Sequence, residues 1–487
     1  MNSTSIYAQF WRYTVPTVAA MLVNGLYQVV DGIFIGHYVG GEGLAAINMA
    51  WPIIGFIMGA GMMLGVGTGI LVSIKQGQGQ GGSARHILTS GLTLLLLIAP
   101  MLSFILWALA EEFLFWQGAN GRVFELGLQY LNIQIYTSVF TLGSIAMPFL
   151  LRNDNSPTLA TWLMVVGAVL NFALDYLFIK HLGWELQGAA IATGIAQVVV
   201  TLLGLIYFFS SRAQLRLSLR DWQFDASFAP KIFSLGASSF FMYVYGSVMV
   251  ALHNGMLIQY GSQTLVGAYA ILGYIIAIYY LVAEGIASGM QPLASYNYGA
   301  RVYSNIRKLL MVAMAVAVLG GALFVAVLNI YPTQAVGIFN DTDPVLMEGA
   351  VTGIRLHLFT LFLDGFLVVA AAYYQSIDQS RKAMFVTIGN MAIQLPFLYL
   401  LPLALDITGV WLAYPLSNIA LTSIVLVMLW RDLKQMRIRE SSQKEISQQE
   451  ISGQEISRQE TDQQTHKHGD AARPEAGTRT ENNAAVC

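Results

Sequence analysis

Six acidic and histidine side chains fall inside stretches of this 487-residue sequence that are apolar enough to cross a bilayer: Asp31, Asp175, His253, Glu284, His357 and Asp364. A charge near the centre of a spanning helix costs about 2.5 to 3.5 kcal/mol on insertion scales, so such groups usually face a water-filled cavity and mark an ion or substrate path. The alternative is a satisfied interhelical hydrogen bond, worth about 0.6 kcal/mol on average in membranes. In NGLYQVVDGIFIG, from Asn24 to Gly36, the residues Asn24, Gln28 and Asp31 follow at steps of four and three and share one helix face, with Tyr27 next to Gln28 in the chain.

Depth sorts these groups. With the first helix running outward, Asp31 lies about five residues before its outer end, and Asp175 lies about five residues before the outer end of the fifth. At a rise of about 1.5 Å per residue the two carboxylates then sit at similar depth in the outer half. Asn171 is one turn below Asp175 on the same face, and Thr193 falls about eight residues into the inward-running sixth helix. One cavity in the N-terminal half is therefore expected to be lined by Asp31, Asn171, Asp175 and Thr193. All four offer oxygen, which suits a hard cation such as sodium. Two carboxylates facing one cavity also repel, and uptake of a proton relieves that repulsion, so the same pair serves as a proton carrier. Apart from Lys180, which closes the fifth window at its outer end, no Lys or Arg falls within the neighbouring spans to neutralise either acid.

The second half does not copy this electrostatic pattern. At the repeat offset described below, Asp31 corresponds to His253 and Glu284 to Met62, while Asp364 lies near the middle of the tenth helix and His357 nearer its outer end. His253, Glu284 and Asp364, with Asn24, Tyr27 and Gln28, are candidates for lining a cation or substrate path. Tyr243, Tyr245, Tyr274, Tyr279 and Tyr280, with Met and Phe neighbours, would suit flat apolar cations, although helix packing leaves the same signature.

These groups need a membrane scaffold, and the composition supplies one. Hydrophobic residues make up 56% of the chain and charged ones 11%, with a mean hydropathy of +0.59, which marks a polytopic membrane protein. The net charge of -2 offers no basic field for nucleic acid. Cys487 is the only cysteine, which excludes internal disulfides, thiolate metal clusters and an internal Cys nucleophile. No HExxH, GxSxG or Walker-type motif occurs, so neither a cofactor nor an enzymatic activity is expected. The glycine-rich GVGTG and GQGQGG follow no strand and read as close helix packing. The N-terminus lacks a basic stretch and a cleavage site, so the first apolar segment reads as a retained helix.

Windows of about 20 apolar residues give twelve spans, near 13–36, 46–74, 87–110, 126–150, 157–180, 186–210, 232–260, 266–292, 307–330, 352–374, 382–404 and 408–431. With the N-terminus inside, seventeen Lys and Arg fall on inside segments against three outside (Arg122, Lys180, Arg355), the remaining five being in the tail. That asymmetry places both termini in the cytoplasm. The basic stretch 211–231 divides an N-terminal lobe, 1–210, from a C-terminal lobe, 232–435. The lobes match at an offset of about 222 residues, pairing Gly67 with Gly289, Ser73 with Ser295 and Gly77 with Gly299. Six helices per copy preserve topology, so the expected fold is all-α, with two six-helix lobes related by a pseudo-two-fold axis along the membrane normal. From 436 a polar tail begins, and its five-residue near-repeats, QKEIS to RQETD, fit neither helix nor strand, so 440–487 reads as disordered. His466 and His468 in that tail offer at most a loose metal contact.

PTVAAMLVNGLYQVVDGIFIG in helix one, LNFALDYLFI in helix five and GMQPLASYNYGAR, from Gly289 to Arg301, resemble the MATE (multidrug and toxic compound extrusion) transporters over about residues 8 to 435. The resemblance implies a V-shaped two-lobed fold and export of organic cations or other amphiphilic drugs in exchange for entering sodium or protons. Asp31, Asn171, Asp175 and Thr193 match the N-lobe cation site of the DinF-like branch, and Asp364 the helix-ten acid of the NorM-like branch. That branch's helix-seven glutamate is missing, FFMYVYG standing at Phe240 to Gly246. The expected protein is a monomer in a bacterial cytoplasmic membrane. A lipid-linked precursor flippase of related fold, needing basic residues for a pyrophosphate, and an intramembrane enzyme using two aspartates are the competing readings.

Overall fold

Backbone polar groups have no water to bond to inside a bilayer, so an apolar chain of this length closes its own hydrogen bonds as helices. The computed structural model describes residues 5–339 and 343–470, without the side chains at 27–30, 33, 41, 221, 247, 263 and 442–470, and its described residues contain no strand. In order, the helices are α1 (Ile6–Tyr38), α2 (Gly41–Gly77), α3 (Gly81–Trp116), α4 (Gly121–Tyr136), α5 (Ser138–Asn153), α6 (Pro157–Asp175) with a π-helical turn (Tyr176–His181), α7 (Glu185–Phe209), α8 (Ala229–Tyr260), α9 (Gln263–Gly299), α10 (Tyr303–Ile330), α11 (Pro332–Gly337), α12 (Pro344–His357), α13 (Leu361–Ser376) and α14 (Ser380–Asp470). Local chemistry sets many of the starts. Pro157, Pro332 and Pro344 open helices where a missing N–H costs nothing, and the Asp343 carboxylate accepts from the amides of Val345 and Leu346 at 3.0 and 3.1 Å.

Among the described residues eight helices are long and apolar enough to span a membrane, and ten spans result when the two bent pairs α4–α5 and α12–α13 each count as one. Helix α1, 33 residues long, and the division of α14 at Asp406, where φ 46° and ψ -135° break the helix, bring the total to twelve. The windows at 126–150 and 352–374 anticipated one continuous span each. Instead each is bent, by 60° near Thr137 and by 53° between His357 and Leu361. Both bends fall in the fourth span of a half and lie about 222 residues apart, the offset of the internal repeat. No proline marks either break, which is why neither shows in the sequence.

The two halves meet along α1, α2, α8 and α9. Calling the end where α1 begins and α7 ends the near face, the tight approaches all lie toward it. A Cβ at Gly67 would strike the Ile232 carbonyl, at Gly236 that of Met63, at Gly77 that of Tyr296 and at Gly299 that of Ile74, so only glycine fits. Likewise a Cβ at Gly285 or Gly289 would come within 2.7 Å of the Cα of Val18 or Thr14. Toward the far face of the same four helices Gly32, Gly55, Gly246, Gly255 and Gly273 have nothing within 4 Å of a Cβ position. The close backbone approaches of the seam thus lie toward its near end. Gly236→Val should pry it apart, and alkylation of a cysteine at Ile74, in a chain with Cys487→Ser, should then speed up several-fold; an unchanged rate would mean the seam does not govern access.

Residues to Trp430 form one compact unit, and Arg431 onward a second. Within that second unit the backbone remains helical to Asp470, through the QEIS repeats that were expected to be irregular. Glu, Gln, Lys and Arg are good helix formers, and Glu440 and Lys444 stand at the favourable i, i+4 spacing. A repeat that cannot build a core can still be locally helical. Residues 471–487 and the side chains of His466 and His468 lie outside the described residues.

Candidate cation site and lobe seam

Helix α1 packs on α6, and α6 on α7, so three elements converge on the predicted oxygen cluster. Asp175, 1% exposed, is the last residue of α6 before the π turn, and Asn171, 3% exposed, sits one turn earlier. With its amide oriented to satisfy both neighbours, Asn171 donates to Asp175 Oδ2 at 3.1 Å and accepts from the Thr193 hydroxyl at 3.2 Å and amide at 3.3 Å. Asp31, half-buried on α1, stands close enough for its charge to act on Asp175. Each carboxylate keeps a buried Oδ1 with no hydrogen-bond partner among the described residues. Two orphaned anionic oxygens beside an amide and a hydroxyl are what a desolvated monovalent cation, or a proton shared between the acids, would satisfy. The side chains of Tyr27 and Gln28 lie outside the described residues, and Asn24 is half-buried where Gly25 meets Leu281 of α9.

The second-half candidates scatter. Asp364, buried in the first turn of α13 just after the bend, accepts from Asn418 at 2.7 Å, where the helix N-terminus favours a carboxylate. His253 and His357 pack into the C-terminal core instead of a path. Their rings lie 5.5 Å apart, His253 stacked on Tyr269 and His357 on Tyr414, and their Nδ1 atoms meet the carbonyls of Met249 and Trp411 at 3.0 and 2.9 Å. Tyr245 donates to Gln394 and Tyr279 to the Ala317 carbonyl, while Tyr274 is 59% exposed against Phe339.

Glu284 lies in the field of a buried cation, although the two side chains form no ion pair among the described residues. Arg152, one of the cations counted on inside segments and helix ends, lies near the end of α5 inside the protein at 1% exposure, with its guanidinium 4.3 Å from the Phe149 ring centroid. Its charge acts on Glu284 of α9, and its Nε and Nη2 have no hydrogen-bond partner among the described residues. A buried cation of the first half thus faces a buried anion of the second across the seam. At the near face, outside the spans, the Asp154 carboxylate accepts from Tyr207 and from the amides of Gln214 and Leu215, and burial pushes its pKa up against the pull of those bonds.

The sequence pattern of the MatE family matches residues 16–177 and, a second time, 238–400. The chain belongs to this family. The two MatE matches begin 222 residues apart, one per half, and members of the family are transporters rather than enzymes. Among similar proteins, the multidrug export protein MepA of Staphylococcus aureus strain N315 is 23% identical over 441 residues, covering 88% of this chain and 95% of the relative. MepA of Staphylococcus saprophyticus is 24% identical over 442 residues, with the same coverage. Among solved structures, a MOP superfamily transporter from Pyrococcus furiosus, described as having a binding pocket of reversed polarity, superposes with a TM-score of 0.85 at 22% identity over 89% of this chain and 97% of its own. A MATE multidrug resistance transporter in an outward-facing conformation gives 0.84 at 22% identity and the same coverage. The two-lobed, twelve-helix MatE fold is therefore this protein's fold.

Several residues at the MatE oxygen cluster escaped sequence reasoning. Phe34, one turn beyond Asp31, meets Phe172 edge-on at 5.7 Å and Tyr176 at 6.4 Å, giving the site an aromatic wall. Gln197, one turn below Thr193 on α7, accepts from Thr141 at 2.6 Å and extends the polar line into the lobe. The helical spacing of Thr193 and Gln197 was a usable signal; the π turn after Asp175 left none.

Proposed function

We propose that this chain exports drugs of organic-cation or amphiphilic character in exchange for sodium or protons moving inward, as a monomer in a cytoplasmic membrane with both termini inside. The observation that carries the coupling is the pair Asp31 and Asp175, close enough for one charge to act on the other and each with a buried, unpartnered oxygen, with no ion pair to either acid among the described residues. The naming of the MepA relatives as multidrug exporters supports the cargo class, and the excess of Lys and Arg on near-face segments supports a cytoplasmic near face.

In this reading the state with the near seam closed is the one that releases drug outward. A cation arriving from outside binds Asp31 and Asp175, draws α1 toward α6, and shrinks the N-lobe side of the cavity. Release of that cation inward, once the near seam has opened, resets the site for the next drug. Ethidium efflux from energised cells, with and without sodium at fixed pH, tests the assignment. Stimulation by sodium identifies that ion; indifference to sodium with collapse under a protonophore identifies protons; and absence of efflux under both conditions overturns the reading. The flippase alternative would need basic groups for a pyrophosphate, whereas Arg152, the buried cation at the seam, already faces Glu284.

A further inference from the structure

Three arginines converge on a cavity at the near face that the transport reading leaves unused. The cavity, about 610 Å³, is lined by Arg85 from the start of α3, Arg216 and Arg220 from the segment joining the halves, the hydroxyl of Ser218 and the apolar groups of Phe209 and Leu219. Among the described residues none of the three arginines forms an ion pair and no acid lines the cavity, the side chain of Asp221 lying outside them, and Arg85 Nε is buried without a partner. Like charges held together with no counter-charge repel, so the arrangement favours an anion that satisfies several guanidiniums at once.

The walls are fixed rather than loose. Asp154 holds the amides of Gln214 and Leu215, the Leu217 amide donates to the Phe208 carbonyl at 2.7 Å, and Thr89 of α3 donates to the Gln223 carbonyl at 2.7 Å. Trp222 donates from Nε1 to Thr93 at 3.0 Å and stacks on Phe209, and Ser90 caps the Asp225 amide at 3.0 Å. The joining segment is thereby pinned to the N-terminal half and does not slide between the halves. Ser218 already accepts from the Arg220 amide, which leaves its hydroxyl proton free to donate.

Position chooses between anions. The cavity lies where α3 begins and α7 ends, at the level of lipid head groups, and its apolar margin continues along the bilayer: Leu219 is 80% exposed, and Ile206, one turn before Phe209, is 62% exposed. We propose that this cavity binds the phosphodiester head group of an anionic phospholipid, the guanidiniums and Ser218 holding the phosphate while an acyl chain lies along the near end of α7. Basic cavities between helices at the membrane surface are suited to such head groups. The inference does not depend on the exported cargo or the coupling ion.

The test uses the purified full chain in detergent, titrated with phosphatidylglycerol, phosphatidylcholine or inorganic phosphate and followed by native mass spectrometry of bound lipid. Phosphatidylglycerol should bind tightly and in a defined number. Each guanidinium removed should weaken it about fivefold, so Arg216→Gln with Arg220→Gln should weaken it about thirtyfold. Arg212→Gln, the same charge change in the same segment but outside the cavity, should leave binding unchanged. The exposed positions of Arg216 and Arg220 make unfolding of the double variant avoidable, and the lipid comparison on the unaltered chain stands without any variant. Equal weakening by Arg212→Gln would reduce the site to diffuse surface charge. Equal binding of phosphatidylcholine, or competition by inorganic phosphate at the same concentration, would also overturn it.

Discussion

Asp31→Asn and Asp175→Asn should each lower ethidium efflux at least about tenfold, to the level of cells lacking the protein, while the protein still accumulates in the membrane. Either change removes one of the two orphaned anionic oxygens, and an amide neither shares a proton nor supplies the charge that offsets stripping water from a cation. The double variant should be no worse than either single one, because the two acids act as a unit and lose their function together. Asn171→Ala should fall between, since Asn171 orients Asp175 through one hydrogen bond and Thr193 remains to contribute oxygen. The comparison is read from efflux rates normalised to membrane protein. Normal efflux in both aspartate variants would remove these carboxylates from the coupling.

Arg152→Ala should be among the most destabilising single substitutions in the chain. It empties a fully buried space beside Phe149 and removes a charge that acts on Glu284, and truncating a large buried side chain to Ala costs roughly 2 to 5 kcal/mol. Charge exchange separates the electrostatics from the lost volume. The double variant Arg152→Glu with Glu284→Arg restores opposite charges across the seam and should recover a substantial part of the thermal stability that either single reversal loses. Unfolding of the detergent-solubilised protein, followed by fluorescence-detected gel filtration, provides the readout. If the double variant is no better than the sum of the two singles, the charges do not act on each other.

The span count, the repeat and the N-lobe oxygen cluster were legible because each rests on local order in the chain. Apolar windows, an offset of 222 residues and the one-turn spacing of Asn171 and Asp175 require no knowledge of what lies across the lobe. The burial of Arg152 was not legible for the converse reason. It sits two residues past its apolar window, where the sequence shows the near end of a helix but not the second half folding over it. The bends near Thr137 and after His357 carry no proline or glycine signature, and neither does the π turn YLFIKH after Asp175. The histidines illustrate the same limit, since His253 and His357 are far apart in sequence and become an edge-to-face pair only in the fold.

The glycine-to-carbonyl approaches of the seam bear on how evenly two states can be populated. Each lays a Cα–H against a carbonyl oxygen, an interaction worth about 0.5 to 1 kcal/mol, so the four together favour the observed state by roughly 2 to 4 kcal/mol. An ion that binds one state a hundredfold more tightly shifts the balance by about 2.8 kcal/mol. Those magnitudes are comparable. Side chains interlocked across the same surface would have trapped the protein in one state; smooth backbone contact keeps the difference within reach of a single bound ion.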